Sequence, residues 1–364
     1  MPATPTLESL GRELGVSRQT ISNALNAPHR VNPKTLERVL KGIEESGYRP
    51  HVAGRQLRTR RSRNLAMRLY PSTDGINGSV LDRFLHALTE AAQRHGYRLT
   101  LFTAADDAGE IAAIDELLSV ADIDGFVLTS THHGDARTAW LLEQGVPFVA
   151  FGRPWNSHGD WYDAPHDWVD VDGGAGTADA TAHLLGRGHR RIGFLGWPAG
   201  SGVGDDRRRG WRRTLESASA VEAHDDLERL DLGVEDSVPQ GAAGARELFA
   251  RGATALVCAS DSLALGAVAA WRDLADRPEG GPPVTGFDDT PVAAALGLTS
   301  VRQPLEETAG RAVDLLRARL DRDRDEPSAP EHVLLPSALV VRDPDPHVFT
   351  SNPNDHAPNE GVST

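Results

Sequence analysis

The side chains with the most chemistry to offer lie in the middle of this 364-residue chain: Arg153, Trp155, Trp161, Trp168, Trp197, Asp206, Arg207, Asp261 and Asp288. Arginine and aspartate present fixed donors and acceptors, and an indole face is flat and apolar. Together they suit a sugar, whose ring carbons stack while its hydroxyls pair with charged groups. Tryptophans that only pack down their own loops are equally compatible with the sequence. Other chemistries lack residues. His132-His133 and Asp288-Asp289 have no third metal ligand at a diagnostic spacing. No Ser/His/Asp set has a nucleophile-elbow context, so catalysis has no support. The Gly-rich stretch 196–204 is not followed by Gly-Lys-Ser/Thr, which rejects a P-loop. Gly173-Gly174-Ala175-Gly176 lacks the dinucleotide spacing and reads as a helix start. Cys258, the one cysteine, sits in an apolar run and excludes both an internal disulfide and a cysteine zinc cluster. No cofactor and no metal are expected.

Those residues fall between alternating apolar runs and helical stretches. Strands are predicted at 65–70, 98–103, 124–129 and 146–151, with helices at 80–95, 108–120 and 135–144 between them. A second series has strands at 168–171, 191–195, 254–259 and 283–287 and helices at 175–187, 206–218, 240–251 and 261–275. Such alternation argues for parallel sheets covered on both faces, and two series argue for two doubly wound subdomains around a cleft. Ligands in such folds bind beyond the C-terminal ends of strands. The places to look are therefore the segments 71–79, 129–134, 152–168, 196–207, 260–261 and 288–290.

The N-terminal end is different. Thr6 can cap a helix carrying Leu7, Leu10 and Leu14, and Gly15 ends it. Ser17 can cap a second helix with Ile21 and Leu25 inward. Asn32-Pro33 opens a third, with Leu36, Val39, Leu40 and Ile43 as its apolar stripe. Three short helices with a tight turn between the first two make a helix-turn-helix arrangement. The second helix would turn Ser17, Arg18, Gln19, Ser22 and Asn23 outward, and Arg, Gln and Asn can each make paired hydrogen bonds to base edges. A plain three-helix packing module remains open on this pattern alone. Residues 48–63 add Arg55, Arg58, Arg60, Arg61 and Arg63 around Leu57. The segment is either a solvated basic linker or one that becomes helical on DNA, with Leu57 as a minor-groove wedge.

Charge sharpens the contrast. Residues 1–63 carry 12 Lys+Arg and 5 Glu, a local net of +7. The whole chain is −14, which leaves −21 on residues 64–364. A polyanion partner is expected at one end only. Hydrophobic residues at 39% suffice for a core, and no apolar run is long enough to span a membrane. The start, MPATPTLESLGREL, lacks the basic and apolar regions of a secretory signal, so a reducing cytoplasm is the expected location.

The ordered spacing GVS-x-x-TIS-x-x-LN, V-x-P-x-T, GYRP and LRT resembles the head and hinge of the lactose-repressor/galactose-repressor (LacI) family of bacterial transcription regulators. GHRRIGFLG, DDRRRGW, SDSLALGA, TGFDDTPVA, LTSVRQP and LVVRD look like blocks of the same family in order, so the resemblance spans nearly all of 6–342. It implies an all-α helix-turn-helix head with a hinge helix, on an α/β body like the periplasmic sugar-binding proteins. It implies that Arg18, Gln19 and Asn23 read bases, that Thr20 and Ser22 hold phosphate and that Leu57 is the wedge. Asn26, Arg30, Ala53 and Arg55 complete the DNA contacts. Asn23 stands where the family commonly has Arg, which bears on the base read there. In the body, Arg207 and Asp288 match effector-binding positions and Ser260 a position that is often Asn. Ser79, Arg153, Trp155, Trp197 and Asp206 complete the candidate effector site.

The organisation expected is a DNA-binding domain at 1–49, a hinge at 50–63, an effector-binding and dimerisation domain at 64–342 and a disordered tail at 343–364. Within the body the first subdomain would comprise about 64–171 and 303–322, and the second about 172–302 and 331–342. Residues 321–330 read as a surface loop. The expected function is a repressor of carbohydrate-utilisation genes, a homodimer on a palindromic double-stranded operator. A mono- or oligosaccharide in the cleft would release it. No C-terminal leucine heptad calls for a tetramer, and no membrane partner is expected. Two alternatives share the body: a solute-binding protein of the transport class, which would need a signal peptide, and a carbohydrate-active enzyme, which would need a catalytic pair.

Overall fold

The computed structural model describes residues 5–26, 28–46, 48, 61–70, 76, 78–120, 123–155, 163–218, 224–274, 283–322 and 329–342. The hinge residues Ala53, Arg55 and Leu57, Trp161, most of the loop expected at 321–330 and the tail at 343–364 lie outside them. The chain divides into two compact units, residues 1–62 and 63–364.

In the head, α1 (Leu7–Glu13), α2 (Arg18–Asn26) and α3 (Pro33–Ser46) close on Leu10, Ile21, Ala24, Val39 and Tyr48. The apolar residues recur every three or four positions, and each helix starts on a polar cap. Thr6 Oγ1 accepts from Ser9 N at 3.1 Å, Ser17 Oγ from Thr20 N at 3.0 Å and Asn32 Oδ1 from Lys34 N at 3.0 Å. These caps satisfy amide groups that the first helical turn leaves without partners. Gly15 takes φ +64 between α1 and α2, the left-handed backbone that a turn this tight requires.

The body holds two six-stranded sheets. The first is built from β1 (Asn64–Arg68), β2 (Arg98–Phe102), β3 (Gly125–Leu128), β4 (Phe148–Phe151), β5 (Trp168–Asp172) and β11 (His332–Pro336). Its order is β11-β5-β4-β3-β1-β2, and every pair is parallel. Helices α4 (Gly78–Arg94), α5 (Asp107–Val120), α6 (Ala136–Glu143) and α13 (Leu305–Asp321) accompany it. The second sheet has β6 (Ile192–Gly196), β7 (Asp231–Gly233), β8 (Ala255–Cys258), β9 (Val284–Phe287), β10 (Thr299–Arg302) and β12 (Ala338–Val340), in the order β12-β10-β9-β8-β6-β7. Only β12 runs antiparallel. Its helices are α7 (Gly173–Gly186), α8 (Val203–Ser217), α9 (His224–Arg229), α10 (Val238–Ala250), α11 (Asp261–Arg272) and the short α12 (Pro291–Ala295). The central strands are buried throughout, as expected of parallel strands covered on both faces.

The segment 331–342 does not belong whole to the second subdomain: β11 pairs with β5 in the first sheet, and only β12 joins the second. Ser337 alone separates the two strands, and its hydroxyl donates to Asp172 O at 2.8 Å, where β5 runs into α7. The chain thus crosses between lobes at 172–173, at 303–304 and at 337. These crossings lie side by side because each follows the end of a strand that points at the same cleft.

The first lobe also buries charge. Glu110 Oε2 accepts from Arg68 Nη1 and from Arg137 Nη1, both at 2.8 Å, and all three side chains are buried. Asp135, the cap of α6, accepts from Nε and Nη2 of the same Arg137. No helix among the described residues is long and apolar enough to cross a membrane.

Candidate effector cleft and DNA-contact face

Because parallel strands all point one way, the C-terminal ends of both sheets face each other across a cavity of about 450 Å³. Each element delivers its contribution from the residue after a strand or the first turn of a helix. After β3 come Thr129 to His132, and at the end of β4 come Phe151 to Arg153, with Trp155. From the second lobe come Trp197 after β6, Asp206 and Arg207 on α8, and Asp288 after β9, while Gln303 follows β10. Gly152 takes φ +126, and a Cβ there would lie 2.1 Å from Thr131 Oγ1, so only glycine lets the chain turn Arg153 inward.

Arg207 is buried beneath this cavity. Its guanidinium carbon lies 3.6 Å from the Phe287 ring centroid and 5.1 Å from that of Trp197. Nη1 donates to Ala259 O at 2.5 Å, Nη2 stands 4.0 Å from Asp288 Oδ1, and Nε has no hydrogen-bond partner among the described residues. Burial holds this arginine below its ordinary pKa, against the pull of Asp288, Asp236, Asp170 and Asp206. Asp288 Oδ1 accepts from Gln303 Nε2 at 2.6 Å. Burial pushes its carboxyl up to about 7, against the pull of Arg207. The turn carrying it is strained: Asp288 has φ 108 and Asp289 φ 50. Such backbone persists only where surroundings impose it. Here Asp261 imposes it, accepting from Thr290 N at 2.7 Å and Ser300 Oγ at 2.6 Å.

Arg153 forms the wall between the lobes. Nε donates to Asp170 Oδ2 and Nη2 to Asp206 Oδ2, each at 2.7 Å. Burial opposes its charge, but Asp170 and Asp206 outweigh burial and hold its pKa above the usual value. The Trp155 ring centroid lies 4.6 Å from its guanidinium carbon.

Of the eight effector-site residues expected from sequence, the structure brings six to one cavity: Arg153, Trp155, Trp197, Asp206, Arg207 and Asp288. Two stand apart. Ser79 donates its hydroxyl to Ile76 O at 2.6 Å, and its neighbours Gly78, Val80 and Leu81 line the wall instead. Ser260 caps α11 through Leu263 N and donates to Asp236, which takes the place in the wall. Asp206 and Arg207, expected both at the start of a helix at 206–218 and at the end of the segment 196–207, lie on α8, which Gly202, at φ +67, starts ahead of its expected first residue. Trp168 is buried in β5, stacked on His332, away from the cavity. Cys258 is fully buried, and burial pushes its thiol up. Asp107, His132 and Asp135 come close enough to hold a metal, yet Arg137 occupies both Asp135 oxygens and His132 Nε2 is 2.9 Å from Asp107 Oδ2. Sequence reasoning missed Asp170, Asp236 and Gln303. An aspartate between Val169 and Val171 of β5 was the one available signal for Asp170.

On the head, Ser17, Arg18, Gln19 and Arg30 are exposed, and Thr20, Ser22 and Asn23 half-buried. Gln19 Nε2 donates to Asn23 Oδ1 at 3.0 Å, which sets both amides on one exposed face of α2. Thr20, Asn23 and Arg30 also border a polar groove with Thr35 and Arg38.

Two family models match this chain. Residues 6–51 match "Bacterial regulatory proteins, lacI family", and 181–343 match "Periplasmic binding protein-like domain". The HTH-type transcriptional regulator CelR of Thermobifida fusca is 32% identical over 352 residues, covering 93% of this chain and 98% of that protein. The chain belongs to the lacI family of bacterial regulatory proteins. It is a DNA-binding transcriptional regulator and not an enzyme, which removes the carbohydrate-active and solute-carrier alternatives. A solved structure of a CelR–cellobiose complex aligns at TM-score 0.67 and 29% identity, over 94% of this chain and 100% of that one. The lac repressor dimer bound to operator and the anti-inducer ONPF aligns at TM-score 0.75 and 22% identity, over 94% and 99%, a likeness of fold. The helix-turn-helix head and the periplasmic-binding-like body are thus the two working parts of a lacI-family regulator.

Proposed function

We propose that this regulator is a repressor of carbohydrate-utilisation genes, released from a palindromic operator when a mono- or oligosaccharide enters the cleft. The observation that carries the reading is Arg207: a buried guanidinium whose Nε meets no acceptor among the described residues, beside Asp288 and between aromatic rings. A sugar hydroxyl that accepts from Arg207 and donates to Asp288 satisfies both, and ring carbons cover the indole faces. CelR, a relative of similar length, is named in complex with cellobiose.

Two heads on a symmetric dimer read two half-sites, with Arg18, Gln19 and Asn23 at base edges and Ser17, Thr20, Ser22, Asn26 and Arg30 along the backbone. The hinge, with Ala53, Arg55 and Leu57, orders in the minor groove. Unstacking one base step costs about a few kcal/mol, which the contacts to bent DNA offset. The sugar acts through its differential affinity for two lobe arrangements. Arg153–Asp206 and Gln303–Asp288 join the parts that must shift. The test is a gel shift with intact and head-deleted chains on genomic operator fragments, with and without a panel of mono- and disaccharides. The expected result is binding by the intact chain only, reversed by one or more sugars. Operator binding indifferent to every sugar would overturn the carbohydrate assignment, and no duplex binding at low salt would overturn the operator assignment.

A further inference from the structure

The charges of the cleft limit what kind of sugar can enter, an inference that rests on the carbohydrate reading above. Arg153 is bonded by two carboxylates, Asp170 and Asp206, and Arg209 reaches Asp206 from the outer side at 2.7 Å. Arg207 faces Asp288 and Asp236 and spends Nη1 on a backbone carbonyl. Every guanidinium at the described walls therefore already meets at least as much negative charge as it carries. The chain's two lysines, Lys34 and Lys41, are both in the head, and the stretches 71–75 and 156–162 contain Asp74, His158 and Asp160 but no lysine or arginine.

A phosphate could instead sit on a helix N-terminus, but the chain's own side chains take these positions. Asp206 Oδ2 accepts from Gly174 N at 3.0 Å and Asp172 Oδ1 from Ala175 N at 2.9 Å at the start of α7. Asp205 Oδ2 accepts from Gly200 N and Gly202 N ahead of α8, and Ser260 caps α11. At the start of α4, apolar Val80 and Leu81 form the wall.

We infer that the cleft admits uncharged sugars and rejects phosphorylated or carboxylated ones, so that the effector reaches this regulator without having been phosphorylated. A phosphate dianion would lie against Asp236 and Asp288, and every guanidinium among the described wall residues already has a carboxylate partner. The class of process that supplies such an effector is hydrolysis of a longer glycan, or uptake that leaves the sugar unmodified.

Calorimetry on the full-length chain tests this, with cellobiose, maltose and the corresponding monosaccharides, then the 6-phosphate and the neutral 6-O-methyl ether of whichever sugar binds. The expected result is binding of the neutral sugar, a 6-O-methyl ether within roughly 10-fold of it, and a 6-phosphate weaker by roughly 100-fold. Asp236→Asn should narrow the phosphate gap by roughly 10-fold. Equal loss for ether and phosphate would make the exclusion steric and overturn the inference. A 6-phosphate that binds as tightly as the free sugar, or tighter, would also overturn it and leave the carbohydrate reading standing. No binding by either series would overturn both.

Discussion

Asp288→Asn tests what the proposed effector site costs the fold. Burial pushes the folded-state carboxyl up to about 7, against the pull of Arg207. An aspartate in the unfolded chain titrates near ~3.9. The folded state therefore binds this proton more tightly than the unfolded state. Its contribution to stability is fully present below ~3.9 and is lost as the pH rises through about 7. At about 1.4 kcal/mol per decade of proton affinity, that gap amounts to about 4 kcal/mol. Asparagine does not titrate, so the stability of the variant relative to the parent should grow by about 4 kcal/mol between about pH 4 and about pH 8. For a body of this size that is on the order of 8 °C in relative Tm. Asp261 remains in both proteins and largely drops out of the difference. Thermal unfolding of both chains at half-unit pH steps measures it. Parallel Tm profiles would refute the claim that this acid is held ionised at a cost to the fold.

Other outcomes follow from the same reasoning. Glu110→Gln leaves Arg68 and Arg137 buried without their shared carboxylate, and should destabilise the body by about 3–5 kcal/mol in denaturant titrations; a loss under ~1 kcal/mol would mean that water or rearrangement compensates. Leu57→Ala should weaken operator binding while leaving the calorimetric sugar affinity unchanged, and equal loss of both would place Leu57 in a core. If a dimer makes ~6–10 phosphate contacts, operator affinity should fall by roughly 10³–10⁵ between ~50 and ~200 mM salt. An affinity flat across that range would contradict phosphate-dominated binding.

Much of this architecture could be read from residue patterns because the signals are local. Helix caps at Thr6, Ser17 and Asn32 and the strand–helix alternation depend on neighbours in sequence, as do the loops after β3, β4, β6 and β9. What escaped depends on contacts between distant segments. β7 (Asp-Leu-Gly) and β10 (Thr-Ser-Val-Arg) each carry a single apolar residue, too few to mark a strand. β11 and β12 are separated by one residue yet join different sheets, which no local pattern encodes. Asp236 sits in Glu235-Asp236-Ser237, a polar loop like many others. It reaches the cavity because Ser260, expected there itself, turns back to cap α11 and holds Asp236 forward. Asp206 and Arg207 were legible as the start of a helix, but its first turn at 203–205 was not, since the signal that starts α8 is the conformation of Gly202.

The account turns on one coupling: that Arg207 transmits the presence of a sugar to a head that grips DNA without it. Fluorescence anisotropy of a labelled operator, titrated with the parent chain and with Arg207→Ala in the presence and absence of a saturating neutral sugar, measures that coupling directly. Equal operator affinity is expected for both proteins without sugar, and release by sugar for the parent only. An Arg207→Ala chain that still releases its operator on sugar addition would contradict it.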